Sequence, residues 1–199
     1  MQGQGELRKR KPCIFLGMSF PGITTGQQYR HVDNKNQCLR QEKDAVMETN
    51  QEMQEMEAPI ELVLVADDLR LDYFPRFDRN ILLMVRLEES IYRMLKSLCD
   101  EYTGGYWNYF TMSNDGFFIE LVSDKPLTLR SPNGHEVTVN AHQASIVAIL
   151  MTLSALCFWA YEQGDAEANY LFVTLHMKLM DYVHQMPKEL RSDIYRLID

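Results

Sequence analysis

No charged residue occurs between Glu136 and Glu162, a gap of 25 positions in a chain that is otherwise 24% charged. A run like that leaves two architectures: a membrane span, or a central helix whose whole circumference packs against protein. The dense apolar part, Ala144–Ala160, has 17 residues, at the short limit for a span. It also carries Ser145, Thr152 and Ser154, and no basic flank marks an orientation. Asn140 with Gln143 three positions later reads as a capping box, so a helix starts there and runs to about Tyr161. The expectation is a central buried helix and no membrane association.

On either side of this run the hydrophobic period changes twice. Leu87, Ile91, Met94, Leu95, Leu98 and Tyr102 repeat at helical spacing, and Glu89→Arg93 and Lys96→Asp100 pair across the solvated face. Gly104-Gly105 is the expected stop of this helix. Residues 81–85 read as a short strand or the start of that helix. Residues 60–73 carry Ile60, Leu62, Val63, Leu64, Ala66, Leu69 and Leu71, and predict a helix ending before the Tyr73-Phe74-Pro75 break. From Tyr106 the period is two. Residues 106–112 and 117–122 flank Ser113-Asn114-Asp115-Gly116, and 127–130 and 136–140 flank Pro132-Asn133-Gly134. Two hairpins follow, read together as a four-stranded antiparallel meander. After Gly164, Asp165 caps a helix with the stripe Phe172, Leu175, Leu179, Val183 and Met186, closed by Pro187. A short last helix presents Leu190, Ile194, Leu197 and Ile198. Helices, then strands, then helices make the class α+β: a small antiparallel sheet with about four to five helices.

The chain divides at Ala58. Residues 1–58 hold eight basic and eight acidic side chains, and residues 59–199 hold twelve basic and twenty acidic ones, so the net charge of −8 belongs to the second part. Scattered Gly and Pro break any period in 1–58, which predicts a disordered or loosely helical extension. Its basic run Arg8–Lys11 precedes an apolar segment too interrupted for a signal peptide. Met47, Met53 and Met56 offer alternative starts at the edge of the ordered part. Cys13, Cys38, Cys99 and Cys157 form no C-x-x-C pair, and two of them lie on apolar stripes; reduced thiols in a cytoplasmic protein are expected.

Motifs for chemistry are sparse. His135-Glu136 does not continue as H-E-x-x-H, His142 sits in a helix's first turn, and His176 and His184 are eight apart, too far for an i, i+4 metal pair. There is no P-loop, G-x-S-x-G or G-x-G-x-x-G. The carboxylate pairs Asp67-Asp68, Glu88-Glu89 and Asp100-Glu101 read as wetted faces. No catalytic residue, cofactor or metal site is expected. Tyr106, Trp107, Tyr109 and Phe110 form an aromatic strand, but residues 101–124 hold no Lys or Arg to interleave with them, so packing is favoured over base stacking.

The series Leu98-Cys99-Asp100-Glu101-Tyr102-Thr103-Gly104-Gly105-Tyr106-Trp107-Asn108-Tyr109-Phe110, then Met112-Ser113-Asn114-Asp115-Gly116-Phe117-Phe118, resembles the ArdB/KlcA family of antirestriction proteins. In that family a "Y-x-G-G-Y-W-x-x-Y" segment leads into a "(L/M)-S-x-x-G-F-(Y/F)" hairpin. Leu71–Pro75 is similar to the family's leading element, and Ile194–Asp199 to its "I-Y-x-x-I-D" end. The likeness covers roughly residues 60–199 and departs at Phe118-Ile119-Glu120-Leu121, where the family commonly has Tyr then Met-Ala-Pro. It implies a non-enzymatic inhibitor of type I restriction-modification endonucleases that protects incoming mobile DNA, with the restriction complex as partner. The motif positions Gly104, Gly105, Tyr106, Trp107, Tyr109, Ser113, Gly116, Phe117, Tyr195 and Asp199 are the candidates for partner contact or structure.

Charge bears on the mechanism. A domain of this size spans about 37 Å, and duplex DNA of that length carries about 22 negative charges. Twenty acids offset by twelve bases fall well short of that. Inhibition by protein contact, without DNA mimicry or stable DNA binding, is the expectation. The alternative is a nucleic-acid-binding accessory protein using the aromatic strand and the Arg8–Lys11 tail.

Overall fold

The computed structural model describes residues 58–199. Most of the extension expected over 1–58, with the basic run, Cys13, Cys38 and the alternative starts, lies outside the described residues. The chargeless run forms α2 (Ala141–Gln163), with the expected capping box: the Asn140 side chain accepts from Gln143 N–H, and the Gln143 side chain accepts from Asn140 N–H. Helix α1 (Ile81–Leu98), helix α3 (Ala166–Gln185), helix α4 (Lys188–Ile198) and strand β3 (Phe117–Leu121) all pack on it. Among the described residues, α2 alone is long and apolar enough to span a membrane. Yet 61% of its most apolar window is buried within the fold, as a central core helix requires. Its polar interruptions are satisfied locally, Ser145 Oγ and Thr152 Oγ1 donating to the carbonyls of Ala141 and Ala148, both 2.7 Å.

The α+β class holds, but the strands are arranged otherwise than as one four-stranded meander. Strands β1 (Leu62–Leu64), β2 (Trp107–Met112) and β3 form one antiparallel sheet in the order β1-β2-β3, with Val63 opposite Thr111 and Phe110 opposite Phe118. Strands β4 (Leu127–Arg130) and β5 (Glu136–Val139) form a separate hairpin. The expected turns build both hairpins; Asp115 (φ 57°) and Gly134 (φ 89°) take the left-handed conformations that Asp-Gly and Asn-Gly sequences favour.

Two boundaries differ from the periodicity. Residues 60–73 are not an α-helix: β1 is followed by 3-10 turns at Asp67–Asp72 and Phe74–Arg76. Val63, Leu64, Leu69 and Leu71 are all exposed, so their apolar character never marked a buried helix face. Pairing with β2 decides the backbone instead. Pro75 is accommodated in the first turn of a 3-10 segment, where its missing N–H is not needed. The second boundary is the end of α1. It stops at Leu98, with Cys99 extended (φ −134°), and not at Gly104-Gly105. Tyr102 still reaches the core, buried, because the loop folds back beneath the helix.

Tyr73 ties these pieces together. Its ring is fully buried among Phe74, Phe77, Tyr109 and Phe117. Its hydroxyl accepts from Phe118 N–H at 3.1 Å and lies 3.0 Å from the carbonyls of both Phe110 and Phe118. Burial drives the phenol pKa upward.

Candidate functional site

The turn from α1 into β2 leaves an open groove of about 600 Å³. One wall is α1, contributing Glu88, Tyr92, Arg93 and Lys96; the other is the Tyr102–Tyr109 segment; Arg70, from the first 3-10 turn, sits at one end. Strand alternation explains the second wall. Trp107 and Tyr109 turn inward and are buried, while Tyr106 is 53% exposed at the mouth. Gly104 has φ 113°, and a methyl group there would meet nothing within 4 Å, so the glycine is set by backbone conformation and leaves the rim bare.

Two polar networks fix the aromatic side chains. The Arg70 guanidinium lies against the rings of Tyr106 (4.7 Å) and Tyr109 (4.4 Å). It donates to the Tyr106 hydroxyl and the Trp107 carbonyl, and pairs with Asp67 at 3.5 Å. Tyr106 in turn donates to Asp67 at 2.7 Å. In the second network one Glu88 oxygen, Oε1, accepts from both Tyr92 and Tyr109. Burial first, and then the Glu88 carboxylate holding their protons, raises the pKa of both phenols. Trp107 Nε1 donates to the Tyr102 hydroxyl at 3.1 Å, and Tyr92 packs on the indole at 5.1 Å. The result is a pre-ordered aromatic surface with two cations, Arg93 and Lys96, on its helical wall.

Five of the ten motif positions meet here: Gly104, Gly105, Tyr106, Trp107 and Tyr109. The other five are placed elsewhere. Ser113 accepts from Glu61 N–H and so anchors β1. Gly116 is buried where an added methyl would fall 2.7 Å from Met112 Sδ and 2.9 Å from Asn114 Oδ1, so the hairpin's own side chains crowd the position, with Lys178 Cβ of α3 next at 3.3 Å. Phe117 is in the core. Tyr195 packs near His184, and the Asp199 carbonyl accepts from Asn133 Nδ2, fastening the last helix to the β4–β5 turn.

Reading the sequence missed Arg70, Glu88 and Tyr92. Glu88 stands in a carboxylate pair read as wetted, yet it turns inward to the phenols; its i, i+4 spacing to Tyr92 was the available signal. His142, in the first turn of α2, bridges Glu120 (3.1 Å) and Tyr182 (3.0 Å) above the Phe118 ring. Its reach across β3, α2 and α3 makes that Glu-His-Tyr chain a clamp. Among the described residues, no group of three or more His, Cys, Asp or Glu is arranged to hold a metal.

Known proteins resemble this chain in sequence and in fold. The family model described as "Antirestriction protein" matches residues 100–199. An Escherichia coli antirestriction protein KlcA is 32% identical over 148 residues, covering 74% of this chain and all of that one. A second E. coli KlcA is 34% identical, covering 71% and 95%. YafX of E. coli K12, of uncharacterized function, is 30% identical, covering 68% and 85%. A solved structure from work on KlcA and ArdB superposes with a TM-score of 0.63 at 31% identity, covering 72% of this chain and 97% of that one. That work describes the two proteins as having a novel fold and antirestriction activity against Type I DNA restriction systems in vivo but not in vitro. With the motif series, the α+β architecture and these relatives in agreement, the chain belongs to the ArdB/KlcA family of antirestriction proteins.

Proposed function

We propose that this protein inhibits type I restriction-modification in the cytoplasm and so protects incoming mobile DNA. It does so without catalysis and through contact with a protein of the restriction system. The family assignment carries the biological direction. The observation that favours protein contact is the groove: exposed Tyr106 and Arg93, residue types that dominate protein–protein hot spots, held on a floor of buried Trp107 and Tyr109 at the family motif. A DNA mimic needs a dense acidic face, and twelve basic side chains among twenty acidic ones do not supply one unless strongly segregated. If the behaviour of KlcA and ArdB in vivo and in vitro extends to this chain, inhibition also needs a cellular component that a purified reaction lacks.

The test is phage plating efficiency on a host with an active type I system, with and without the gene. Protection against unmodified phage is the expected result. Unchanged restriction across the standard type I families would overturn the function. Displacement of duplex from the specificity subunit by this protein, with strong salt dependence, would overturn the protein-contact mechanism.

A further inference from the structure

The distribution of charge around the groove says what kind of surface it meets. The domain is acidic overall, yet the groove's charged lining is Arg70, Arg93 and Lys96 against Glu88 alone. Arg70 is committed: its guanidinium is stacked on two rings and bonded to Tyr106, Trp107 and Asp67. Glu88 is committed as well, one oxygen accepting two phenol protons. Arg93 and Lys96 are not. They stand one turn apart on the same face of α1 and are both exposed, Arg93 with 71% of its side chain accessible. The Glu89 carboxylate touches Arg93 only at 3.5 Å, between two exposed groups, and such a pair holds weakly in water. Lys96 donates to a neutral carbonyl, that of Asp100, which leaves its charge unneutralised. Two available cations therefore overlook an aromatic floor whose half-exposed Tyr106 stands at the mouth.

Resting on the function proposed above, we propose that the groove docks an acidic polypeptide segment of the type I restriction complex. Asp or Glu carboxylates of that segment pair with Arg93 and Lys96, and its backbone or an apolar side chain lies on Tyr106 beside the bare Gly104 rim. Two exposed cations are too small a footprint for a duplex, whose binding is driven by neutralising many phosphates. An acidic protein segment gains from the same pair without needing a longer basic track. Charge complementarity of this sort chiefly sets partner choice and on-rate.

The experiment uses the full chain in cells carrying an active type I system. One double variant is Arg93→Glu with Lys96→Glu; the matched control is Lys188→Glu with Arg196→Glu, the same charge change on exposed positions of α4. A photo-crosslinking amino acid at Thr103, exposed on the groove rim, reports the neighbour directly. The expected result is that the groove variant loses protection by about a hundredfold, the scale on which juxtaposed like charges act. The α4 variant should keep it, and Thr103 should crosslink to a restriction subunit within an Asp/Glu-rich segment. Equal protection by both variants, or a crosslink only to DNA, to a segment without acidic residues or to nothing, overturns the proposal while the antirestriction function stands. If the unaltered chain fails to protect, the function falls and takes this docking with it. Equal melting temperatures of both variants and the parent establish that folding is not what changed.

Discussion

Replacing Arg70 with methionine should destabilise the domain and disorder the groove together, because one guanidinium joins the first 3-10 turn to strand β2. Methionine keeps most of the apolar stem and removes only the planar charged head. The head's hydrogen bond to the part-buried Trp107 carbonyl is charge-assisted, a class contributing about 1.5–3 kcal/mol. Its stacking on buried Tyr109 adds about 0.5–2 kcal/mol. The Asp67 pair contributes little, since that carboxylate is 85% exposed. The expected loss is about 2–5 kcal/mol, which for a domain near 150 residues lowers Tm by roughly 5–20 °C. Arg70→Lys keeps the charge but not the fork, and should fall between methionine and the parent. Urea and thermal melts of the three proteins give the stabilities, and near-ultraviolet circular dichroism follows Trp107 and its tyrosine neighbours. If methionine melts within about 2 °C of the parent, or lysine matches arginine, the guanidinium does not organise this surface and the argument fails.

Three other outcomes follow from the same structure. Gly104→Ala should lose about 1–3 kcal/mol from backbone conformation alone, since a methyl group there meets nothing; a stability unchanged in chemical denaturation contradicts the φ of 113°. His142→Ala and Tyr182→Phe should each destabilise by about 1–2 kcal/mol. Their double-mutant cycle should show coupling, and strict additivity refutes the Glu120-His142-Tyr182 clamp. Burial lowers the pKa of His176 below its ordinary 6.5, so the unfolded chain takes up that proton first. Stability from this group is full above pH 6.5 and is lost as pH falls toward the lowered native value. His176→Gln should flatten that part of the pH–stability curve, and an unaltered slope rejects the assignment.

The sequence carried the features whose cause is local. An uncharged run with a dense part of only 17 residues, and with Asn140 and Gln143 at its start, favours a buried, capped helix over a span, and it is one. Asp-Gly and Asn-Gly between alternating residues specified both hairpin turns, because their left-handed conformations are a property of those few residues. The Gly-Gly-Tyr-Trp-x-Tyr wall of the groove was legible for the same reason: it is one contiguous segment. Whether the four inner strands joined in one sheet was not legible. Nor was β1, Leu62–Leu64, recruited to the edge of β2 by pairing across some fifty positions, while β4 and β5 pair in a separate hairpin. The helix period read over residues 60–73 was a coincidence of apolar residues that the tertiary structure leaves in solvent. The other components of the groove were hidden likewise. Arg70 meets Trp107 across 37 positions and Glu88 meets Tyr109 across 21, so no window along the chain contains both partners. Outside residues 60–73, sequence alone determined which segments are helix, turn and aromatic strand, since those preferences act over a few residues. The tertiary structure decided which charges are spent inside the fold and which, Arg93 and Lys96, stay exposed on the groove wall, since that depends on what each side chain reaches in space.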